Sequence, residues 1–251
     1  MIIDNFHTFS FDGIKLSSLG AVIAQRPTLP QAERDFSLIS APFRSGDLIE
    51  DNGRYKNIDF SIKVRTLPAF CDLTAEHFSQ QLAAWLKSDG YKVYRDTYAQ
   101  GYFRYAVCKS ISAVVAVMKN VYEATIHFSF QPFLYRDGAD VPQQFSSTAN
   151  WLTFTLTNPE NCEALPIIKI IGTGEYQINI NSVRYMTANV TTSMTIDKIR
   201  ENVFDASGNP CNDKVSGLRI PALVAGDNEF SIVRTDAQGI QVEVTPNWRR
   251  L

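Results

Sequence analysis

Phe128-Ser-Phe-Gln-Pro-Phe-Leu-Tyr135-Arg-Asp-Gly138 is the stretch whose reading decides the fold. It closes a run that alternates apolar and polar residues from Tyr122, with Ala124, Ile126, Phe128 and Phe130 on one side. Such a period of two is that of a half-buried strand. Pro132 then removes a ladder donor, and Arg136-Asp-Gly138 breaks the pattern into a polar segment. Strand-like sequence around one helical pattern precedes this point, and only strand-like sequence follows it. The stretch therefore reads as a joint between residues 1–135 and residues 136–251. Phe130 is expected to be buried, and Arg136 to Gly138 exposed.

Before the joint, residues 6–26 read as short strands punctuated by Gly13 and Gly20. Pro27 and Pro30 hold residues 27–35 in an extended arm, because each also restricts the residue before it. Asn52-Gly53 predicts a tight hairpin, since both turn residues must accept positive φ. Ile58, Phe60, Ile62 and Val64 alternate with Asp59, Ser61, Lys63 and Arg65, which predicts a strand with one buried face. A helix is predicted over about 74–88. Phe78, Leu82, Trp85 and Leu86 form its apolar stripe, Thr74 caps it, and Gly90 is placed as its left-handed C-terminal residue.

Beyond the joint, Asp137 to Asn150 is polar and reads as linker. Strands are predicted at Trp151–Thr157, Pro166–Ile171, Tyr176–Asn181, Thr192–Ile196, Phe230–Val233 and Ile240–Thr245. Turns fall at Gly172-Thr-Gly174, Ser207–Pro210, Gly226-Asp-Asn228 and Asp236–Gly239. This spacing suggests a β-sandwich. The fold class is mainly β, and the last segment, Gln241 to Leu251, packs either in that sandwich or back on the first module.

The 251 residues carry 24 basic and 26 acidic side chains, a formal net charge of −2, with no clustered basic stripe. That balance gives no basis for tight nucleic-acid binding. The first seven residues lack a signal-peptide pattern, and the longest apolar run, Ala113 to Met118, is too short to span a bilayer. A soluble chain with no membrane insertion is expected. Cys71, Cys108, Cys162 and Cys211 are scattered without a paired spacing, and they read as small buried hydrophobes.

No catalytic, cofactor-binding or metal residues stand out. His7, His77 and His127 begin no metal-ligand spacing. Gly172-Thr-Gly174 lacks the third glycine and the lysine of a phosphate loop. Asp47, Glu50 and Asp51 sit in a turn-rich segment where solvation accounts for them. The reading is a chain without enzymatic activity. The alternative is a carbohydrate-binding sandwich engaging cell-wall glycans, with Trp151, Tyr176, Tyr185 and Trp248 as candidate stacking faces.

The ordered features resemble the distal tail proteins of siphophages and prophages of Gram-positive bacteria. The resemblance runs through Phe9-Ser-Phe-Asp-Gly13, Leu19-Gly20, the Pro27/Pro30 arm and Pro42-Phe-Arg44-Ser-Gly46-Asp47-Leu48. It continues in Tyr55-Lys-Asn57, the helix ending Trp85-Leu86, and Phe130-Gln-Pro-Phe-Leu-Tyr135. Past the joint it includes Leu165-Pro-Ile-Ile-Lys-Ile-Ile-Gly172-Thr-Gly174, Ile196-Asp197 and Leu223-Val-Ala-Gly226-Asp-Asn228. Members usually show Gly-Arg-Asp/Asn-Gly where this chain has Phe43-Arg44-Ser45-Gly46.

What the resemblance implies is an N-terminal module closing into a homo-hexameric ring and a C-terminal galectin-like, jelly-roll-type sandwich. The ring would join the tail-tube protein to a tail-associated fibre or lysin protein, with a receptor-binding protein as a further partner. Its channel would pass DNA, its place would be the tail tip of the virion, and its assembly would occur in the host cytoplasm. Within this frame, the Pro27–Asp35 arm and the Asp47–Arg54 hairpin are expected at inter-subunit contacts.

Overall fold

The computed structural model describes residues 6–217 and 220–251, apart from the side chain of Tyr185. Two compact units divide it, residues 1–134 with Leu251, and residues 135–250.

In the first unit, the strands are β1 (Phe9–Phe11), β2 (Ile14–Lys15), β3 (Ala21–Ile23), β4 (Arg34–Ile39), β5 (Leu48–Tyr55) and β6 (Ile58–Thr66). Helix α1 (Ala75–Leu86) is followed by β7 (Lys92–Asp96), β8 (Tyr102–Ile111), β9 (Val115–Met118) and β10 (Val121–Phe130). The main sheet runs β2-β1-β7-β8-β10-β6-β3, with β9 paired to β10. Its centre is the antiparallel pair β6/β10, where Ile62 faces Ile126 and Phe60 faces Phe128. Buried alternate residues of both strands meet the helix stripe Phe78, Leu82 and Leu86 in one core. Aromatic packing thickens that core: Phe60 stacks on Phe130 at 4.6 Å, and Tyr94 lies 5.4 Å from Phe128. Trp85 ties the helix to the sheet by donating its indole N–H to the Phe11 carbonyl at 3.0 Å.

Thr74 caps the helix as expected, its hydroxyl accepting from the His77 amide at 3.3 Å. Gly90 does not. The helix ends at Leu86 because Lys87 is already extended, at φ −68° and ψ 122°. With φ at 158°, Gly90 is itself extended rather than left-handed.

On the outer face of β6/β10, Glu123 accepts from Lys63 (2.6 Å) and from the Arg65 Nε at 2.6 Å. Those two cations hold the Glu123 carboxyl below its ordinary value of 4.5. A lowered folded value means a stabilisation present above the unfolded value and lost as pH falls through the folded one. Thermal melts of Glu123→Gln should therefore lie below wild type at pH 7 and converge with it in acid. Parallel curves down to pH 2 would refute this assignment.

The second unit follows β11 (Leu134–Arg136). Its strands are β12 (Gln143–Ser147), β13 (Trp151–Asn158), β14 (Ile167–Ile171), β15 (Gly174–Ile180), β16 (Val183–Val190) and β17 (Ser193–Asp197). They continue as β18 (Asn202–Asp205), β19 (Val215–Ser216), β20 (Gly226–Arg234), β21 (Ile240–Thr245) and β22 (Arg249–Arg250). Two five-stranded sheets form, β12-β21-β14-β17-β18 and β13-β20-β15-β16-β19. Ile168, Ile170, Val242 and Val244 from one meet Ile178, Ile180, Phe230 and Ile232 from the other in a single core. This is a β-sandwich.

The segment read as linker is partly structural. β12 pairs with β21 from Gln143↔Val244 to Ser147↔Ile240, and Phe145 stacks on Phe154 at 3.8 Å. As an edge strand with one partly buried apolar residue, it lacks an alternating signature. Gly226-Asp-Asn228 is likewise the start of β20 rather than a turn, with Asn228 opposite Leu156. At the end of the chain, β21 lies inside the sandwich sheet and β22 pairs with β11. Around the joint, Phe130 is buried and Arg136 to Gly138 are exposed.

Candidate assembly surface

The segment expected as a hairpin and the last two residues of the expected arm, Arg34 and Asp35, belong to one element, the two-stranded β4–β5 ribbon, while residues 27–33 lie outside any strand. The ribbon forms a sheet of its own, paired to no other strand among the described residues. Asn52-Gly53 is not its turn. The register passes from Asp35↔Arg54 to Phe36↔Asp51, so both residues are extruded from β5 as a bulge. Gly53 takes φ +66°, and its amide donates to the Asp51 carboxylate at 3.0 Å. The chain reverses instead in the segment between Ile39 and Leu48. There Arg44 N–H donates to the Ala41 carbonyl at 3.4 Å, with Phe43 at φ +63°. That left-handed position ordinarily takes glycine.

The two halves of the ribbon differ in chemistry. Near its base, Arg34 pairs with Asp51, and the Arg54 Nε lies 2.7 Å from Asp35. The Arg54 contact holds the Asp35 carboxyl below its usual range. The Gly53 amide, followed by Arg34, does the same for Asp51. Toward the tip the residues are apolar on both sides. Directly opposed residues share a face, so Phe36, Leu38 and Ile49 lie on one face and Ile39 and Leu48 on the other. All are exposed, Leu38 at 59 % and Ile49 at 70 %, and Phe43 stands entirely in solvent.

Nothing comparable marks a catalytic or metal site. Among the described residues no group of three or more His, Cys, Asp or Glu is arranged to hold a metal ion. His7 stacks on Tyr98 at 4.5 Å, His77 is exposed on the helix, and His127 Nδ1 lies 2.7 Å from the Ser61 hydroxyl. Gly172-Thr-Gly174 opens β15, and the Arg234 guanidinium donates to the Thr173 carbonyl. Asp47 and Glu50 are exposed and Asp51 is engaged in the ribbon. Of the four cysteines, Cys71 and Cys211 are buried, while Cys108 and Cys162 are only half-buried. Of the candidate stacking aromatics, Trp151 is exposed, Tyr176 and Trp248 are buried, and the Tyr185 side chain lies outside the described set. No helix of the described residues is long and apolar enough to cross a membrane.

No protein-family model matches the sequence, and no curated protein matches it. Solved structures do. The chain is similar to the crystal structure of SPP1 Dit, described as a paradigm of the hub adsorption apparatus in phages infecting Gram-positive bacteria. The match has a TM-score of 0.67 at 14 % identity, covering 98 % of this chain and 99 % of that one. A second similarity, to a chain of the phage P2 baseplate in its activated, calcium-bound conformation, has a TM-score of 0.43 at 8 % identity. It covers 94 % of this chain and 99 % of that one. Over essentially its whole length, the chain has the fold of a siphophage distal tail protein.

Proposed function

We propose that this chain is a structural hub of a phage tail tip, without enzymatic activity. Six copies close into a ring through their first units. One face of the ring meets the tail-tube protein and the other a tail-associated fibre, lysin or baseplate protein. The central channel passes DNA. A formal charge of −2 on the chain suits a passage that must not retain a polyanion.

The observation that carries this reading is the β4–β5 ribbon. An isolated two-stranded ribbon is marginal in water. This one exposes apolar side chains on both faces in the single chain. Exposed apolar surface of this kind marks an interaction site, and unpaired edges invite a further chain. Fold likeness over the whole length agrees with it.

Light scattering of the purified 28.2-kDa chain should give six times the monomer mass, and negative-stain images should show sixfold rings. A monomer that is retained on cell-wall glycan would overturn the proposal.

A further inference from the structure

The first unit carries a second exposed apolar segment, and its chemistry complements the ribbon. In β9, Val115, Val117 and Met118 are 58, 50 and 66 % exposed. Val115 faces Glu123 across the ladder and so projects from the outer side of the sheet, while Val117 is the extra residue of a bulge between the Ala116 and Met118 pairs and stands exposed there. Among the described residues β9 pairs with β10 alone, so its other edge is open. Four apolar or small residues, Val-Ala-Val-Met, on a free edge are a template for another strand. The adjoining Lys119 is exposed and makes no ion pair among the described residues. The ribbon tip offers what this segment lacks: apolar faces, free strand edges, and the exposed carboxylates Asp47 and Glu50.

We propose that the apolar half of the β4–β5 ribbon of one copy seats on β9 of a second copy, extending that copy's sheet across the subunit boundary. The inference rests on the assembled-hub reading and names the surface that receives the ribbon. The contact joins unlike surfaces, the heterologous kind that closes into rings. Burying Leu38 and Ile49 against Val115 and Val117 covers both patches at once. Strand addition satisfies backbone groups that are otherwise left to water on both edges.

The test places Ile49→Cys and Val117→Cys in one chain, with Cys108→Ser and Cys162→Ser to remove the two partly exposed thiols. Treatment with a short bis-maleimide should give a covalent ladder reaching six chains on a denaturing gel, and neither single cysteine should give it. A complementary pair of charge variants reads the same contact without chemistry. Ile49→Asp and Val117→Lys should each reduce the assembly constant at least a hundredfold, and together they should recover at least tenfold of that loss. Intact rings with no ladder, and with Val117→Lys unaffected, would overturn this surface and leave the hub standing. Dimers from Ile49→Cys alone would overturn it in favour of ribbon pairing with ribbon. A wild-type chain that is monomeric at all concentrations would overturn both readings.

Discussion

In the proposed assembly, Leu38→Asp combined with Ile49→Asp should convert the hub into a folded monomer. Both side chains lie on one face of the ribbon and are more than half exposed, so the free chain loses little when they change. Any contact that buries them would then have to bury two carboxylates. Each lost aliphatic contact is worth about 1.5–3 kcal/mol on full burial. Desolvating an unpaired carboxylate adds several kcal/mol more. In a ring every subunit boundary suffers the same loss, so the effect is a collapse of mass rather than a graded shift. Light scattering should report the monomer, while circular dichroism and the melting temperature stay near those of wild type. A double variant that still forms rings would remove the ribbon from the interface.

Asn228→Ala should produce the largest loss of folding stability, and it acts in the second unit. The Asn228 side chain is fully buried at the start of β20. Its amide donates to the carbonyls of Val224 at 2.9 Å, Gly226 at 3.0 Å and Leu156 at 3.4 Å. Its oxygen accepts from the Val224 N–H at 2.9 Å and from the Asn181 amide at 3.3 Å. One side chain thus stands in for the ladder where residues 224 and 225 lie ahead of β20. Nearby, Asn158 repeats the device, donating to the carbonyls of Cys162 and Leu223. Removal orphans a buried N–H and several carbonyls, at about 1–3 kcal/mol for each group left unmet. A total of about 4 kcal/mol and a fall of about 10 °C in melting temperature are expected. Asn228→Asp should do no better, because it keeps the acceptor but loses both donors and buries a charge. A shift below 3 °C for Asn228→Ala would show that water replaces the side chain.

Where one face of an element is buried, its sequence announced it. The alternate residues of Ile58 to Val64 and of Tyr122 to Phe130, with Phe78, Leu82 and Leu86 of the helix stripe, sit in the core of the first unit as their periods require, and Trp85 packs against it half-buried. Positions where tertiary structure overrode local preference were not readable. Asn52-Gly53 has the chemistry of a two-residue turn, yet the facing strand continues past it and turns it into a bulge. Gly90 stands where a helix cap belongs, but Lys87 had already left the helix. β12 is an edge strand whose only strong signal is Phe145.

The candidate surface was half legible. The proline arm and the polar residues 47–54 pointed to a projecting element outside the core. Phe36, Leu38, Ile39, Leu48 and Ile49 carry no such message, because an uncovered apolar strand and a buried one have the same letters. Only the absence, among the described residues, of a third strand paired to the ribbon distinguishes them. β9 was hidden for the same reason, inside an apolar run noted only for its shortness.

The strand order of the second unit also governs when it can form during synthesis. In each sheet the first strand lies beside a very late one: Gln143 pairs with Val244, and Trp151 pairs with Val233. β14 in turn needs β21 along one whole edge. Neither half of the sandwich closes until about eighty to a hundred further residues have left the ribosome, and loop closure over such distances is slow. The path β2-β1-β7-β8-β10-β6-β3, with β9, is built entirely from residues before the joint. The ribbon and the strands of that path are therefore translated before the sandwich can close. In the proposed assembly, neighbouring nascent chains on a polysome would meet through the ribbon before any of them is released.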